Sequence, residues 1–119
     1  MLKNKLIYTI TIVYTLAIIV LSFMNLQEIP ELNTGFDDKI FHCIAYALFC
    51  LVWYLCFKVL KLKSSLILAI VFSIAFGGLI EILQSKLSSY RTTEFFDLLA
   101  NTLGVLLMAI GIRLKKRYN

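Results

Sequence analysis

The sequence predicts an all-α membrane protein, a bundle of four transmembrane helices with both termini in the cytoplasm, and three observations predict it. Hydrophobic residues make up 61% of the chain and charged residues only 16%, where a soluble protein runs about 45–50% apolar and about 25% charged. The apolar residues gather into four runs long enough to cross a hydrocarbon core of about 30 Å. The charges between the runs alternate in the way that sets membrane topology. A chain of 119 residues has too much surface for its volume to hide such an apolar excess from water, so the bilayer is its natural solvent. The same excess, with a single proline, excludes disorder.

The first run, Leu6 to Met24, holds no charge. It follows Lys3 and Lys5 as a secretory signal would, but it is longer than the roughly 7–15 residues of a signal's apolar region, and no small-x-small cleavage site follows it. It reads as a retained anchor. The 25–39 loop then carries Pro30 and a turn-like Asn33-Thr34-Gly35, after which Asp37 or Asp38 is placed to cap the second helix. The second run spans Ile40 to Phe57 with His42 near its start; the third, Leu66 to Gln84, carries Glu81; the fourth, Phe95 to Ile112, carries Asp97. Little is left over for a second domain, so residues 1–119 read as one.

Lys and Arg number 2, 1, 3, 2 and 4 in the five segments outside the runs. Because cytoplasmic loops are rich in Lys and Arg, this alternation puts both termini inside. The net charge of +5 is therefore topological, and it asks for no nucleic acid. Cys43, Cys50 and Cys56 share one run without C-x-x-C or Cys/His ligand spacing and read as packing residues. Gly77, Gly78, Gly104 and Gly111 read as close-packing positions. Tyr8, Tyr14, Trp53, Tyr54, Tyr90 and Tyr118 read mostly as interfacial anchors or lipid-facing fillers.

In such a bundle the end of span one, the start of two, the end of three and the start of four share one face, and every ionisable group inside the spans belongs to that face. By the charge rule it is the outer one. Residues three and four apart share one side of a helix, so Asp38, His42 and Tyr46 form one row, Glu81 and Gln84 a second, and Asp97, Asn101, Gly104, Met108 and Gly111 a third. Arg91 lies in the hairpin between spans three and four. Charged residues in a span normally turn inward, so three inward polar rows predict a pocket open to the outside. The same residues can equally serve as interhelical hydrogen bonds that hold the bundle together.

The pattern Asp38-Lys39-x-x-His42-x-x-x-Tyr46, then Gly78-x-x-Glu81-x-x-Gln84, then Arg91 with Asp97-x-x-x-Asn101-x-x-Gly104, resembles the VanZ-like family of small bacterial membrane proteins. The likeness covers Asp37 to Gly104. It implies Asp38, His42, Glu81, Gln84, Arg91, Asp97 and Asn101 as functional positions, a bacterial plasma membrane as location, and a link to glycopeptide (teicoplanin) sensitivity. Two positions depart from the family pattern, Glu94 in place of a small hydroxyl residue and Met108 in place of a small one.

Three functions suit these residues. In the first, the pocket binds or modifies an anionic lipid head group or a lipid-linked envelope precursor. Arg91, assisted by Lys39 and Lys86, suits a phosphate, and the helix start at Thr92-Thr93-Glu94 adds backbone N–H groups. Asp38, Tyr46, Gln84 and Asn101 complete the binding set, while Glu81 and His42, with Asp97, are the candidates for proton transfer. The second is a metal-dependent membrane hydrolase or transferase with Asp38, His42, Glu81 and Asp97 as ligands. That set is poor in nitrogen and lacks a His-Glu-x-x-His pattern, so no metal or other cofactor is expected. The third is a non-enzymatic scaffold whose polar cluster is an ion-paired lock. Four spans barely enclose a cavity, so passing a large solute would need a homo-oligomer; the lack of ionisable groups in the cytoplasmic halves disfavours ion-coupled transport.

Overall fold

The computed structural model describes residues 2–23, 37–87 and 95–118, with side chains over 2–22, 40–83, 86 and 98–117. Four helices account for them: α1 (Leu2–Phe23), α2 (Asp37–Val59), α3 (Ser65–Leu87) and α4 (Phe95–Tyr118). All four are long and apolar enough to cross a membrane, and no strand occurs among the described residues. The fold class expected from composition is the one observed. Each helix runs past its apolar run, because Lys3, Lys5, Lys58, Lys86 and Arg113 to Arg117 continue the backbone ladder while their long side chains reach the interface. α2 begins at Asp37, so both aspartates lie in its first turn.

Helix α2 is the centre of the bundle and packs against all three others, most extensively against α4. Its row Tyr46, Phe49, Cys50 and Tyr54 is buried, and Phe49 is wholly so at 0% exposure. Phe49 stacks on Phe76 at 4.6 Å between ring centroids and lies 5.9 Å from Phe72, while Trp53 meets Phe72 at 4.5 Å. Cys50 and Cys56 are buried and Cys43 half-buried, all as free thiols, as packing residues should be. The outward faces are equally apolar: Ile67 and Val71 on α3, and Leu103 and Leu107 on α4, are exposed. A helix hydrophobic all round belongs inside a bilayer.

Two sequence expectations need correction. Tyr14, Trp53 and Tyr54 are not lipid-facing fillers. Tyr54 is buried in the core, and the other two tie α1 to α2. The Tyr14 hydroxyl donates to the Ala45 carbonyl at 2.5 Å, the Trp53 indole N–H to Thr15 Oγ1 at 3.1 Å, and the Thr11 hydroxyl reaches the Val52 carbonyl at 3.4 Å. In lipid, where apolar surfaces gain little by leaving solvent, such bonds and close packing hold helices together. The second correction is Gly111, which is exposed, and a Cβ placed there would touch nothing within 4 Å. Gly104 behaves in the opposite way, since a Cβ there would overlap the Cys43 carbonyl, its carbonyl carbon 2.8 Å away. The absence of a side chain is what lets α4 lie directly on the α2 backbone.

The bonds to α1 give a first prediction. Tyr14→Phe keeps the ring and removes one interhelical hydrogen bond, so it should lower stability in micelles by about 0.6–1.7 kcal/mol, read as a shift of the unfolding midpoint in denaturing detergent. An unchanged midpoint would mean that packing alone holds α1.

Candidate functional site

The pairings show how the helices run. Residues near the starts of α2 and α4 meet, so these two are parallel, and the end of α3 joins them at the same level. At that end the first turns of α2 bring His42 and Tyr46 inward, the last turns of α3 bring Gly77 and Glu81, and the first turns of α4 bring Asn101. The spacing of three and four residues that the sequence displays is what aligns each pair.

His42 Nδ1 lies 2.9 Å from Asn101 Oδ1, a bond between α2 and α4. A carbonyl oxygen only accepts, so the ring bonded to it carries its hydrogen on Nδ1, and in the neutral imidazole Nε2 is then the basic nitrogen. Asn101 is 2% exposed, and its other amide atom, Nδ2, is buried without a hydrogen-bond partner. Buried amide nitrogens are nearly always partnered, and leaving one unsatisfied costs about 1–3 kcal/mol. The amide fits because residue 77 is glycine: a Cβ there would stand 3.2 Å from both Asn101 Nδ2 and Tyr46 Cε1. Tyr46, 3% exposed, closes the cluster on the core side.

Glu81 is 4% exposed, so its carboxylate faces the bundle and not lipid. It lies near enough to act electrostatically on the Tyr46 phenol. The described part of the site thus joins a carboxylate, an imidazole, a phenol and an amide across three helices, with one donor unspent.

His42, Tyr46, Glu81 and Asn101 are brought together as the spacing predicted. Asp38, Lys39, Gln84 and Asp97 fall in helices, one turn or less along the chain from His42, Glu81 and Asn101, but their side chains lie outside the described residues. Arg91 and the Thr92-Thr93-Glu94 helix start lie outside them altogether. Among the described residues no three His, Cys, Asp or Glu side chains are grouped to hold a metal ion. In sequence Gly77 reads as a packing position on the same side of the third span as Glu81 and Gln84. Its spacing of four from Glu81 was the available signal that it faces the site.

A family model described as VanZ/LLP1 matches residues 5–116 of this chain. An uncharacterised protein of the yeast Schizosaccharomyces pombe is 36% identical over 90 residues, a match covering 74% of this chain and 54% of that protein. The chain therefore spans about half the length of the curated relative it matches. No solved structure matches significantly.

Proposed function

The chain belongs to the VanZ/LLP1 family and is a multi-pass membrane protein, and from that premise we propose that its polar cluster binds or modifies an anionic lipid head group or a lipid-linked cell-envelope precursor. The observation that carries this reading is the buried Nδ2 of Asn101, which has no hydrogen-bond partner although the same amide's Oδ1 is bonded to the His42 imidazole. A donor left unsatisfied at that cost is explained by an acceptor that comes and goes. On this reading Arg91 and Lys39 supply the charge for a phosphate, Asp38, Tyr46, Gln84 and Asn101 complete the binding set, and Glu81, His42 and Asp97 are the groups available for proton transfer.

The Lys/Arg counts support an orientation with both termini in the cytoplasm and the cluster at the outer leaflet. A bacterial plasma membrane, and an influence on teicoplanin sensitivity, rest on the motif resemblance; the yeast relative supports only the membrane family.

A second reading is favoured by one observation, that the His42–Asn101 bond joins α2 to α4. There the cluster is a structural lock in a scaffold. Native mass spectrometry of the purified wild type and of Glu81→Gln and Arg91→Ala separates the two. On the head-group reading a co-purified phosphate-bearing species is retained by the wild type and reduced at least about tenfold in both variants, with the thermal midpoint unchanged. No bound species in the wild type, with both variants less stable, would transfer the cluster to the structural reading.

A further inference from the structure

At the opposite end of the bundle, about 24 Å along α2 from His42 at 1.5 Å per residue, lies a second polar feature that the cluster above does not use. The last turn of α2, the α2–α3 turn, the first turn of α3 and the end of α4 border an open cleft of about 740 Å³. Lys58, Arg113, Lys116 and Arg117 line it together with Tyr54 and Ser65. All four cations are exposed, whereas Tyr54 is buried. The Nζ atoms of Lys58 and Lys116 each stand 5.9 Å from the centre of the Tyr54 ring, so one aromatic ring gathers an amine from α2 and one from α4.

No acidic side chain belongs to the stretches of sequence that build the cleft. The chain's seven carboxylates are Glu28, Glu31, Asp37, Asp38, Glu81, Glu94 and Asp97, so none falls between residues 39 and 80 or after 97. The helix ends of α2 and α4 attract nearby cations through their dipoles, but Arg113 lies before the last turn of α4. Four like charges around one concavity give it a positive potential that favours an anion.

The backbone completes the cradle. Leu62 N–H bonds to the Phe57 carbonyl at 3.1 Å and Lys61 N–H to the Lys58 carbonyl at 3.0 Å, the paired bonds of a helix end whose next residue is left-handed. Lys61 takes that conformation at φ 61°, where glycine is usual, and Ser64 repeats it at φ 57°. These two bends turn the chain so sharply that α3 starts beside the end of α2. The first intrahelical bond of α3 runs from Leu68 N–H to the Ser64 carbonyl at 3.0 Å. The N–H groups of Ser65, Leu66 and Ile67 precede it, and such a helix start favours an anion.

We infer that this cleft is a second anion site, which binds the phosphate of an anionic phospholipid head group in the leaflet opposite the Glu81 cluster. Three observations favour a lipid over free phosphate. The volume lies within the roughly 300–1,000 Å³ of pockets that take whole small molecules. Leu62, Leu66 and Ile67 give the cleft an apolar flank, and Ile67 is 62% exposed on the lipid-facing side. The cleft also lies where three apolar spans end, at the level of head groups, where basic pockets between helices take anionic lipids.

The test uses the full chain, purified and delipidated in detergent, and titrated with phosphatidylglycerol or phosphatidylcholine while native mass spectrometry counts the bound lipid. The wild type is expected to bind phosphatidylglycerol at least about tenfold more tightly. Lys58→Gln/Arg113→Gln/Lys116→Gln should abolish that preference. Lys3→Gln/Lys5→Gln/Lys115→Gln, which removes the same charge outside the cleft, should retain it. Leu62→Trp fills the cleft without altering charge and should reproduce the loss, which guards against a triple variant that does not fold. Equal loss in the control triple variant would reduce the effect to diffuse charge and overturn the site. So would a wild type without preference, or Leu62→Trp binding as the wild type does. Displacement of the lipid by an excess of inorganic phosphate would overturn the lipid assignment.

Discussion

Gly104→Ala is expected to destabilise the bundle by about 1–3 kcal/mol, the cost of forcing a methyl group into a filled interface. The new Cβ would occupy the position of the Cys43 carbonyl, a backbone atom that no rotamer change can move aside. Either α2 and α4 separate along their whole contact or the α2 backbone distorts, and both also disturb the His42–Asn101 bond one turn away. Gly111→Ala provides the contrast on the same helix. It meets nothing within 4 Å, so it should raise stability by up to about 1 kcal/mol through helix propensity alone. Unfolding midpoints in mixed micelles measure both. Equal effects at the two glycines would show that propensity, not the close approach to Cys43, decides.

Asn101→Leu is expected to separate binding from stability. Leucine fills the volume of the amide and removes the buried Nδ2 that has no partner, so the unfolding midpoint should move by less than about 1 kcal/mol even though the bond to His42 is lost. Retention of the head-group ligand should fall at least about tenfold, the loss of one charge-assisted hydrogen bond of about 1.5–3 kcal/mol. If Asn101 is instead a structural tie, the variant should lose stability by more than that and keep whatever it binds. Thermal unfolding and native mass spectrometry on one preparation give both quantities.

The spans were readable because length and absence of charge are what a hydrocarbon core demands, and those are properties of the linear sequence. The meeting of His42, Tyr46, Glu81 and Asn101 was readable for a second reason. Helical spacing fixes which residues share a side, and alternation of direction fixes which ends share a level. Facing direction within an apolar helix was not readable. Tyr54 and Ile67 are both apolar enough for lipid, yet one is buried and the other exposed, because a bilayer removes the polar-out signal that marks a soluble helix. The basic cleft was hidden differently. Lys58 and Lys116 belong to segments more than fifty residues apart, and each is fully accounted for as a topological charge until the fold sets them around one ring.

The hydroxyls of α1 bear on biogenesis. Thr11 Oγ1 donates to the Ile7 carbonyl at 2.7 Å and Thr15 Oγ1 to the Thr11 carbonyl at 2.8 Å, both one turn back along their own helix. During synthesis α1 leaves the ribosome before Ala45, Val52 and Trp53, its partners across the bundle, have been made. Until they arrive it must stand alone in hydrocarbon, where an unbonded hydroxyl is costly. The internal bonds meet that need from the moment the helix forms. The threonines then only extend their bonding when α2 comes alongside, Thr11 sharing its proton with the Val52 carbonyl and Thr15 accepting from Trp53. The hydroxyls of α1 therefore need no partner from α2 for the helix to stand in hydrocarbon.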